Sequence, residues 1–425
     1  KCGIAICELS PFWMASPAPE ETTTMIQLEI SDKHQETFNN AMLLAEHMMR
    51  PYSRKYDKEE HTYPTEMDEV VKLLAGGRSA GSSTGGASAA ESSAVVNGGN
   101  MAAVIGLQAL AWGDLGLFLG MPANGLGNAA IQAVGTLAQR EKYGTSYAAM
   151  CITEPGTGSD SANIATTAVR DGDEWVLNGE KIYVTSGQWA DTLVVWATLD
   201  KSLGKAAIKS FIVEKGTPGC EVTRLERKMG IRASDTAAIT FSDCRIPADN
   251  ILGSAELAAD AEGRKKAFGG VMQTFDNTRP PVAAMALGVG RAALDLASEL
   301  LTEEGVSPDY NRKPCNVSAV EAELYRLEAE WEGARLLTLK AAWMADNKQP
   351  NSKEASMCKA KAGRMGNRVT LRCVELCQSL GYSESRLLEK FARDSKIIDI
   401  FEGTQQIQQL IVARRILGKS SSELK

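Results

Sequence analysis

One carboxylate in the last fifth of the chain has the surroundings of a catalytic base. It is Glu402, within the segment FARDSKIIDIFEGTQQIQ that runs from Phe391 to Gln408. Charged residues of a short helix (Arg393, Asp394, Lys396) lead into an apolar run, Ile397, Ile398, Ile400 and Phe401. Glu402 is followed by Gly403 and Thr404, and a helix restarts with Ile407, Leu410 and Ile411 on one face. The carboxylate therefore falls at a break between helices, between an aromatic ring and a glycine. Among apolar side chains it loses solvation and its pKa rises. That suits a general base working near neutral pH. The plainer alternative is a polar residue in an ordinary loop.

A second stretch with chemical potential is TEPGTGSD, Thr153 to Asp160. Together the two stretches resemble the signatures of the acyl-CoA dehydrogenase family, T-E-P-x-x-G-S-D followed far downstream by R-D-x-K and (Y/F)-E-G-T. The resemblance extends from about Met101 to the C-terminus and is weak before that. It implies a particular chemistry: removal of a proton from Cα of an acyl-CoA thioester by Glu402 and of a hydride from Cβ. No side chain accepts a hydride, so a cofactor is required, and the resemblance implies FAD. The thioester oxygen would be stabilised by the flavin ribityl 2′-hydroxyl and the backbone N–H of Glu402.

The same resemblance implies flavin contacts from Met150, Ile152 and Thr153, with Cys151 between them, from Ser159, and from Tyr183 and Thr185. The last two stand where the family has W-(I/V)-T, so a tyrosine replaces the usual tryptophan against the ring, with loss of stacking area. Thr404 would reach the adenine diphosphate, or simply cap the last helix. Substrate contacts would come from Ser159, Asp276, Arg279, Phe401 and Gly403. Asp276 and Arg279 belong to FDNTRP, residues 275–280, which resembles the family's F-D-x-x-R-P, and Arg279 would also orient the loop that carries the base.

The elements that must position these residues fall into three blocks. Ile26 to Tyr52, Thr65 to Leu74, Met101 to Gly113 and Asn124 to Tyr143 read as helices. Residues 75–99, rich in Gly, Ser and Ala, read as a flexible linker or exposed loop. From Cys151 onward come short β-branched or aromatic runs, Trp175–Leu177, Lys181–Thr185, Thr192–Trp196, Ser210–Val213 and Ala238–Phe241, punctuated by Asp171-Gly172, Asn178-Gly179 and Pro218-Gly219. These turn signals indicate a compact antiparallel β domain. Helical patterns return at Ala267–Thr278, Pro281–Thr302, Ser318–Lys348, Ser352–Leu380 and Glu389–Ile398, with Pro280 and Pro281 expected to start a helix. The expected fold class is α+β: an N-terminal extension (1–25), a helical domain (26–148), a middle β domain (149–258) and a C-terminal four-helix bundle (259–425), the order that the resemblance also implies.

Composition narrows the function classes. The 425 residues carry a net charge of −7, which argues against nucleic acid or an anionic membrane as partner. Nine cysteines lie scattered, with no C-x-x-C pair, and suggest a reducing compartment. All three histidines (His34, His47, His61) lie near the N-terminus, away from any cysteine cluster, so no metal site is expected. Met101 to Met121 is nearly apolar with Asp114 as its only charge, but its glycines favour a buried helix–turn–helix over a membrane span of about 20 residues. Two G-x-G-x-x-A runs, starting at Gly125 and Gly288, follow no β-branched strand and are expected to serve close helix packing rather than a dinucleotide.

In homotetrameric members of the family, R-x-T-F-G and Q-x-x-G-G-x-G segments reach the FAD of a neighbouring subunit. Here the corresponding residues are Ser307 to Asn311 (SPDYN) and Glu375 to Gly381 (ELCQSLG). The expectations are therefore either a homotetramer or an α2β2 heterotetramer with a related chain, and an electron-transferring flavoprotein as the electron acceptor. An O2-using acyl-CoA oxidase and a partner-dependent or structural subunit are the alternatives. The location expected is the cytoplasm of a bacterium, or the mitochondrial matrix of a eukaryote.

Overall fold

The structure is a computed structural model. It describes residues 29–76, 97–122, 125–257, 261–420 and 423, with the backbone alone for 75–76, 261–277 and 314. The N-terminal extension and most of the Gly/Ser-rich segment lie outside the described residues.

The first block is helical. It comprises α1 (Asp32–Leu44), α2 (Ser53–Lys58), α3 (Glu66–Gly76), α4 (Gly99–Gly113), α5 (Leu115–Gly120), α6 (Leu126–Val134) and α7 (Leu137–Tyr143). The helix expected over Ile26–Tyr52 is α1 continued by a π turn (Ala45–Met49) and a 3-10 turn (Arg50–Tyr52). Helix α4 is apolar on nearly every side because it packs between α1 and α8. Its N-terminus is closed by a distant carboxylate: Asp346 accepts from the backbone N–H of Gly98, Asn100 and Met101 at 2.8, 2.9 and 3.0 Å. Asp114 ends α4 and caps α5, accepting from Leu117 N at 2.8 Å, so the apolar run is a buried helix–turn–helix. Among the described residues no helix is long and apolar enough to cross a membrane. The single helix expected over Asn124–Tyr143 is broken at Gly135. There Thr136 and Gln139 form a capping box that starts α7.

The middle block is one seven-stranded sheet: β1 (Ala148–Cys151), β2 (Thr167–Asp171), β3 (Glu174–Thr185), β4 (Thr192–Thr198), β5 (Ile208–Glu214), β6 (Cys220–Leu225) and β7 (Thr236–Pro247). The strands follow the order β1-β4-β2-β3-β7-β6, with β5 also paired to β4. The sheet is not purely antiparallel, since β1 runs parallel to β4 and β2 meets β4 in parallel at Thr167–Thr198. The chain returns from β1 to β4 through the β2–β3 hairpin, a connection long enough for parallel pairing. Every residue of β4 is buried, as in a strand covered on both faces. Asn178-Gly179 is not a turn. It lies inside β3 as a bulge against β7, with Asn178 accepting from Asp243 N at 2.8 Å.

The third block is α8 (Ala261–Glu303), α9 (Ala319–Asp346), α10 (Ser352–Leu376), α11 (Gln378–Tyr382), α12 (Leu388–Ser395) and α13 (Gln405–Leu417). Its core joins Leu287 and Leu294 of α8, Leu327 and Trp331 of α9, and Met365 and Val369 of α10. Pro280 and Pro281 do not start a helix but lie inside α8. They lack the N–H groups that would bond the preceding turn. The packing of α8 against α4 and α10 carries the helix through.

The two G-x-G-x-x-A runs resolve as packing sites. A Cβ on Gly127 would meet Ala148 O of β1 at 2.5 Å, and one on Gly288 would meet Gln108 O of α4 at 2.3 Å.

Candidate active site

The base candidate sits on a constrained turn. Helix α12 passes into a 3-10 turn (Lys396–Asp399), and the chain then reaches Phe401, partly buried against the bundle core. Glu402 has φ +53° and Gly403 φ +86°, two consecutive left-handed residues. That conformation costs a non-glycine residue about 1–3 kcal/mol. Both carbonyls of the turn are held: Gln408 Nε2 donates to Glu402 O at 3.1 Å and to Gly403 O at 3.2 Å, and Lys359 Nζ donates to Gly403 O at 2.7 Å. A Cβ at Gly403 would lie 2.5 Å from that Gln408 nitrogen. Thr404 is the cap of α13, its Oγ1 accepting from Ile407 N at 3.4 Å.

Burial raises the Glu402 pKa above its ordinary value of 4.5, against the opposing pull of Lys359, a hydrogen bond from Thr278 and the Arg279 charge. Thr278 Oγ1 stands 3.5 Å from Glu402 Oε2, a long contact. Arg279 is buried, donating from Nη1 to Ser356 Oγ at 3.3 Å. Lys359 is fully buried, and burial lowers its pKa to about 8 despite the Asp399 and Glu402 carboxylates. The structure thus gathers Glu402, Gly403, Thr278, Arg279 and Lys359. The side chain of Asp276 lies outside the described residues.

The helix leading to Glu402 is pinned to both other blocks. Lys390 Nζ lies 2.5 Å from Asp114 Oδ2 and 2.5 Å from Asp394 Oδ2, all three side chains fully buried. Ser53 also donates to Asp114, and Ile231 N donates to Asp394 Oδ1 at 2.5 Å. Burial works against the Lys390 charge, but the two carboxylates outweigh it and lift its pKa. Beside this cluster, Arg393 binds Asp57 in two bonds of 2.9 and 2.7 Å and Met229 O at 3.0 Å. One short helix therefore holds α2, α5 and the loop between β6 and β7.

The second group of candidates lies on the sheet. Thr153 follows β1, and its carbonyl accepts from Ile182 N of β3 at 2.8 Å. The next residue, Glu154, is buried and anchors the segment. It accepts from Ala165 N at 2.5 Å, Thr166 N at 2.9 Å and Lys181 Nζ at 2.7 Å. Lys181 also donates to Ile152 O at 3.1 Å. Burial alone would raise the Glu154 pKa, but Lys181, Thr166 and the backbone donors outweigh it and lower it to about 2.

Tyr183 sits at a second β3 bulge with φ +58°, which turns its ring outward to 62 % exposure. Thr185 ends β3 and is exposed. The turn after it is held by Asp235, which accepts from Gln188 N at 2.7 Å and, through its carbonyl, from Ser186 N at 3.2 Å. Ser159 is exposed beyond the Glu154–Thr157 turn, and Met150 is half-buried on β1 beside Val194. The side-chain hydroxyls of Thr153, Ser159 and Thr185 have no hydrogen-bond partner among the described residues. An outward aromatic ring beside unpartnered hydroxyls on a rigid sheet can bind a flat ligand rich in hydrogen-bonding groups.

Sequence reasoning missed Lys359, Lys181, Lys390 and Asp235. The available signal was the company they keep: Lys359 falls on the buried small-residue stripe of α10, with Ala355, Cys358 and Ala362. A lysine there needs an anionic partner. Among the described residues no group of three or more His, Cys, Asp or Glu could hold a metal ion.

Comparisons with known proteins agree with this architecture. Residues 149–244 match the acyl-CoA dehydrogenase middle domain, and residues 268–417 match the acyl-CoA dehydrogenase C-terminal domain. The chain is 30% identical over 403 residues to the mitochondrial short-chain specific acyl-CoA dehydrogenase of Rattus norvegicus, spanning 93% of this chain and 92% of that protein. The solved butyryl-CoA dehydrogenase of Megasphaera elsdenii superposes with a TM-score of 0.79 at 30% identity, covering 92% of this chain and 100% of that one. A chain solved in work on the electron transferring flavoprotein of Acidaminococcus fermentans matches with a TM-score of 0.79 at 31% identity, covering 92% of this chain and 100% of that one. With the order of helices, sheet and bundle, the two matched domains and a relative aligned over nearly its whole length, this chain belongs to the acyl-CoA dehydrogenase family of oxidoreductases.

Proposed function

We propose that the chain converts a short-chain acyl-CoA thioester to the trans-2-enoyl-CoA with FAD as cofactor, Glu402 removing the α-proton. The observation that carries this reading is the state of Glu402: burial raises its pKa, and a turn with both carbonyls held fixes its backbone. A raised carboxylate pKa brings its basicity toward that of the acidic α-carbon of a thioester, while its charge is kept by neighbouring cations. The short-chain preference is supported by the rat and Megasphaera relatives.

The residues present fit a flavin. Tyr183 offers an exposed aromatic face, and Thr153, Ser159 and Thr185 offer hydroxyls that no described residue occupies. Met150 and Ile152 supply backbone groups beside them. The flavin, when bound, supplies the acceptor for the hydride leaving Cβ. The protein's own work is the rest. Glu402 Oε takes the α-proton, and its N–H faces the developing charge on the thioester oxygen. Phe401 and Gly403 flank the reacting carbons, and Asp276 and Ser159 serve the coenzyme A arm. Arg279 acts from its buried position, beside Ser356, on the turn that carries the base.

Electron transfer onward to an electron-transferring flavoprotein is supported by the Acidaminococcus neighbour. A second reading of the assembly rests on a specific observation. In the loop where a neighbour-reaching arginine is expected, Ser307 stands instead. Arg312 is paired with Glu321 of its own subunit at 2.6 Å. The assembly is then either a homotetramer that tolerates this loss or an α2β2 complex whose related chain supplies the missing cation.

The test is a chain-length panel with butyryl-CoA first, an artificial electron acceptor, and product analysis alongside oxygen uptake and flavin content per chain. Enoyl-CoA formed without oxygen uptake is the expected result. Enoyl-CoA formed with stoichiometric oxygen uptake would make the protein an oxidase. Absence of flavin and turnover in every oligomer would overturn the reading.

A further inference from the structure

The buried lysine of α10 holds a carbonyl of the turn, and its charge calls for a further explanation. Lys359 is 0% exposed, yet its ammonium makes a single described hydrogen bond, to Gly403 O at 2.7 Å. Any neutral donor of suitable length would serve that carbonyl. A buried ammonium is costly unless negative charge faces it. Two carboxylates do: Asp399 from the 3-10 turn below, and Glu402 from the turn itself. Arg279 of α8 opposes it, and Thr278 of the same helix adds a hydroxyl to Glu402. Asp399 is the stronger of the two pulls on the ammonium; its Oδ2 lies 3.5 Å from Lys396, and its Oδ1 is buried without a hydrogen bond. A cation, rather than an amide or a hydroxyl, at this place answers to these two carboxylates, Glu402 among them.

We propose that Lys359 is a positioning residue for the reaction: it pins the Gly403 carbonyl and thereby the left-handed turn, and its charge keeps the buried Glu402 ionised and ready to accept a proton. This rests on Glu402 being the base. The opposition is visible in the local electrostatics, where burial pushes the Glu402 pKa up and Lys359 is foremost among the groups pulling it down. Lys359 itself titrates at about 8, so the support weakens in alkaline solution and is present at neutral pH.

The experiment separates charge from anchoring. The ionisation of Glu402 is followed in the purified full-length protein by infrared difference titration, its carboxyl band assigned by loss in Glu402→Gln. Lys359→Gln keeps a donor but removes the charge, Lys359→Met removes both, and Lys359→Arg keeps the charge. The Glu402 midpoint is expected to rise by about one pH unit or more in the Gln and Met variants, and to return toward the wild-type value in Arg. The ascending limb of kcat against pH should move by the same amount. A midpoint unchanged or lowered in Lys359→Gln overturns the proposal, and if the Met variant does not fold, the Gln and Arg variants decide it. The band is read whether or not acyl-CoA turns over. A protein without dehydrogenase activity would therefore sink the function proposed above while leaving this inference to the titration.

Discussion

The residues that hold the site are ionic pairs inside the protein, and Glu154 is the most heavily bonded. Its native pKa of about 2 lies below the ordinary 4.5 of an unfolded chain. The stability it contributes is therefore complete above pH 4.5 and is lost as the pH falls toward 2. Glu154→Gln should lower the urea midpoint at pH 7, and the gap to wild type should narrow as unfolding is repeated at successively lower pH. A gap independent of pH would contradict the assignment. At this scale a motif could single out a residue such as Glu402, whose burial and turn the structure describes. The sequence was silent where a role depends on what lies across the fold. Nothing local marks Lys181 as the partner of Glu154, 27 positions away. Lys390 meets Asp114 across 276 positions.

At the scale of elements, periodicity exposed the three blocks because helix and strand repeats differ. Boundaries failed where tertiary packing overrode local signals. Pro280 and Pro281 lie inside α8, and Asn178-Gly179 bends β3 without ending it. The break at Gly135 carries its own signal, the Thr136–Gln139 capping box, inside what reads as one long periodic run. The glycine of α8 that mimics a nucleotide motif tests the packing argument. Gly288→Ala would force a methyl against Gln108 O of α4, 2.3 Å away, and should destabilise the protein by about 1–3 kcal/mol. Gly333→Ala on α9 meets nothing within 4 Å and should be neutral or stabilising by up to about 1 kcal/mol. Thermal or urea unfolding of the pair checks both. Equal effects would mean that the α4–α8 approach is not as close as described.

At the scale of the whole molecule, α12 couples the turn of Glu402 to the other two blocks. The Lys390 ammonium joins Asp114 of the helical block to Asp394 of the bundle, and Asp394 in turn holds Ile231 of the sheet block. Lys390→Met leaves two carboxylates buried without their cation and should cost about 3–5 kcal/mol. Because the helix leads directly into the turn with Glu402, the folded fraction of that variant should also lose kcat. Wild-type unfolding and turnover in Lys390→Met would show that the three blocks hold together without this cluster. The order of the blocks was readable from pattern. Their joints were not, because burial of a charge is a property of the assembled fold.

The proposed role of Glu402 as the base is open to a direct anaerobic titration. Flavin-loaded protein is mixed with butyryl-CoA, and the visible flavin absorbance is followed for wild type and for Glu402→Gln. Wild type should bleach within the mixing time of a turnover experiment. The variant should keep its bound flavin and bleach slower by a factor of about 100 to 10,000, the usual contribution of a general base. Bleaching of Glu402→Gln at the wild-type rate, with flavin equally bound, would contradict the assignment and send the search for the base to another residue.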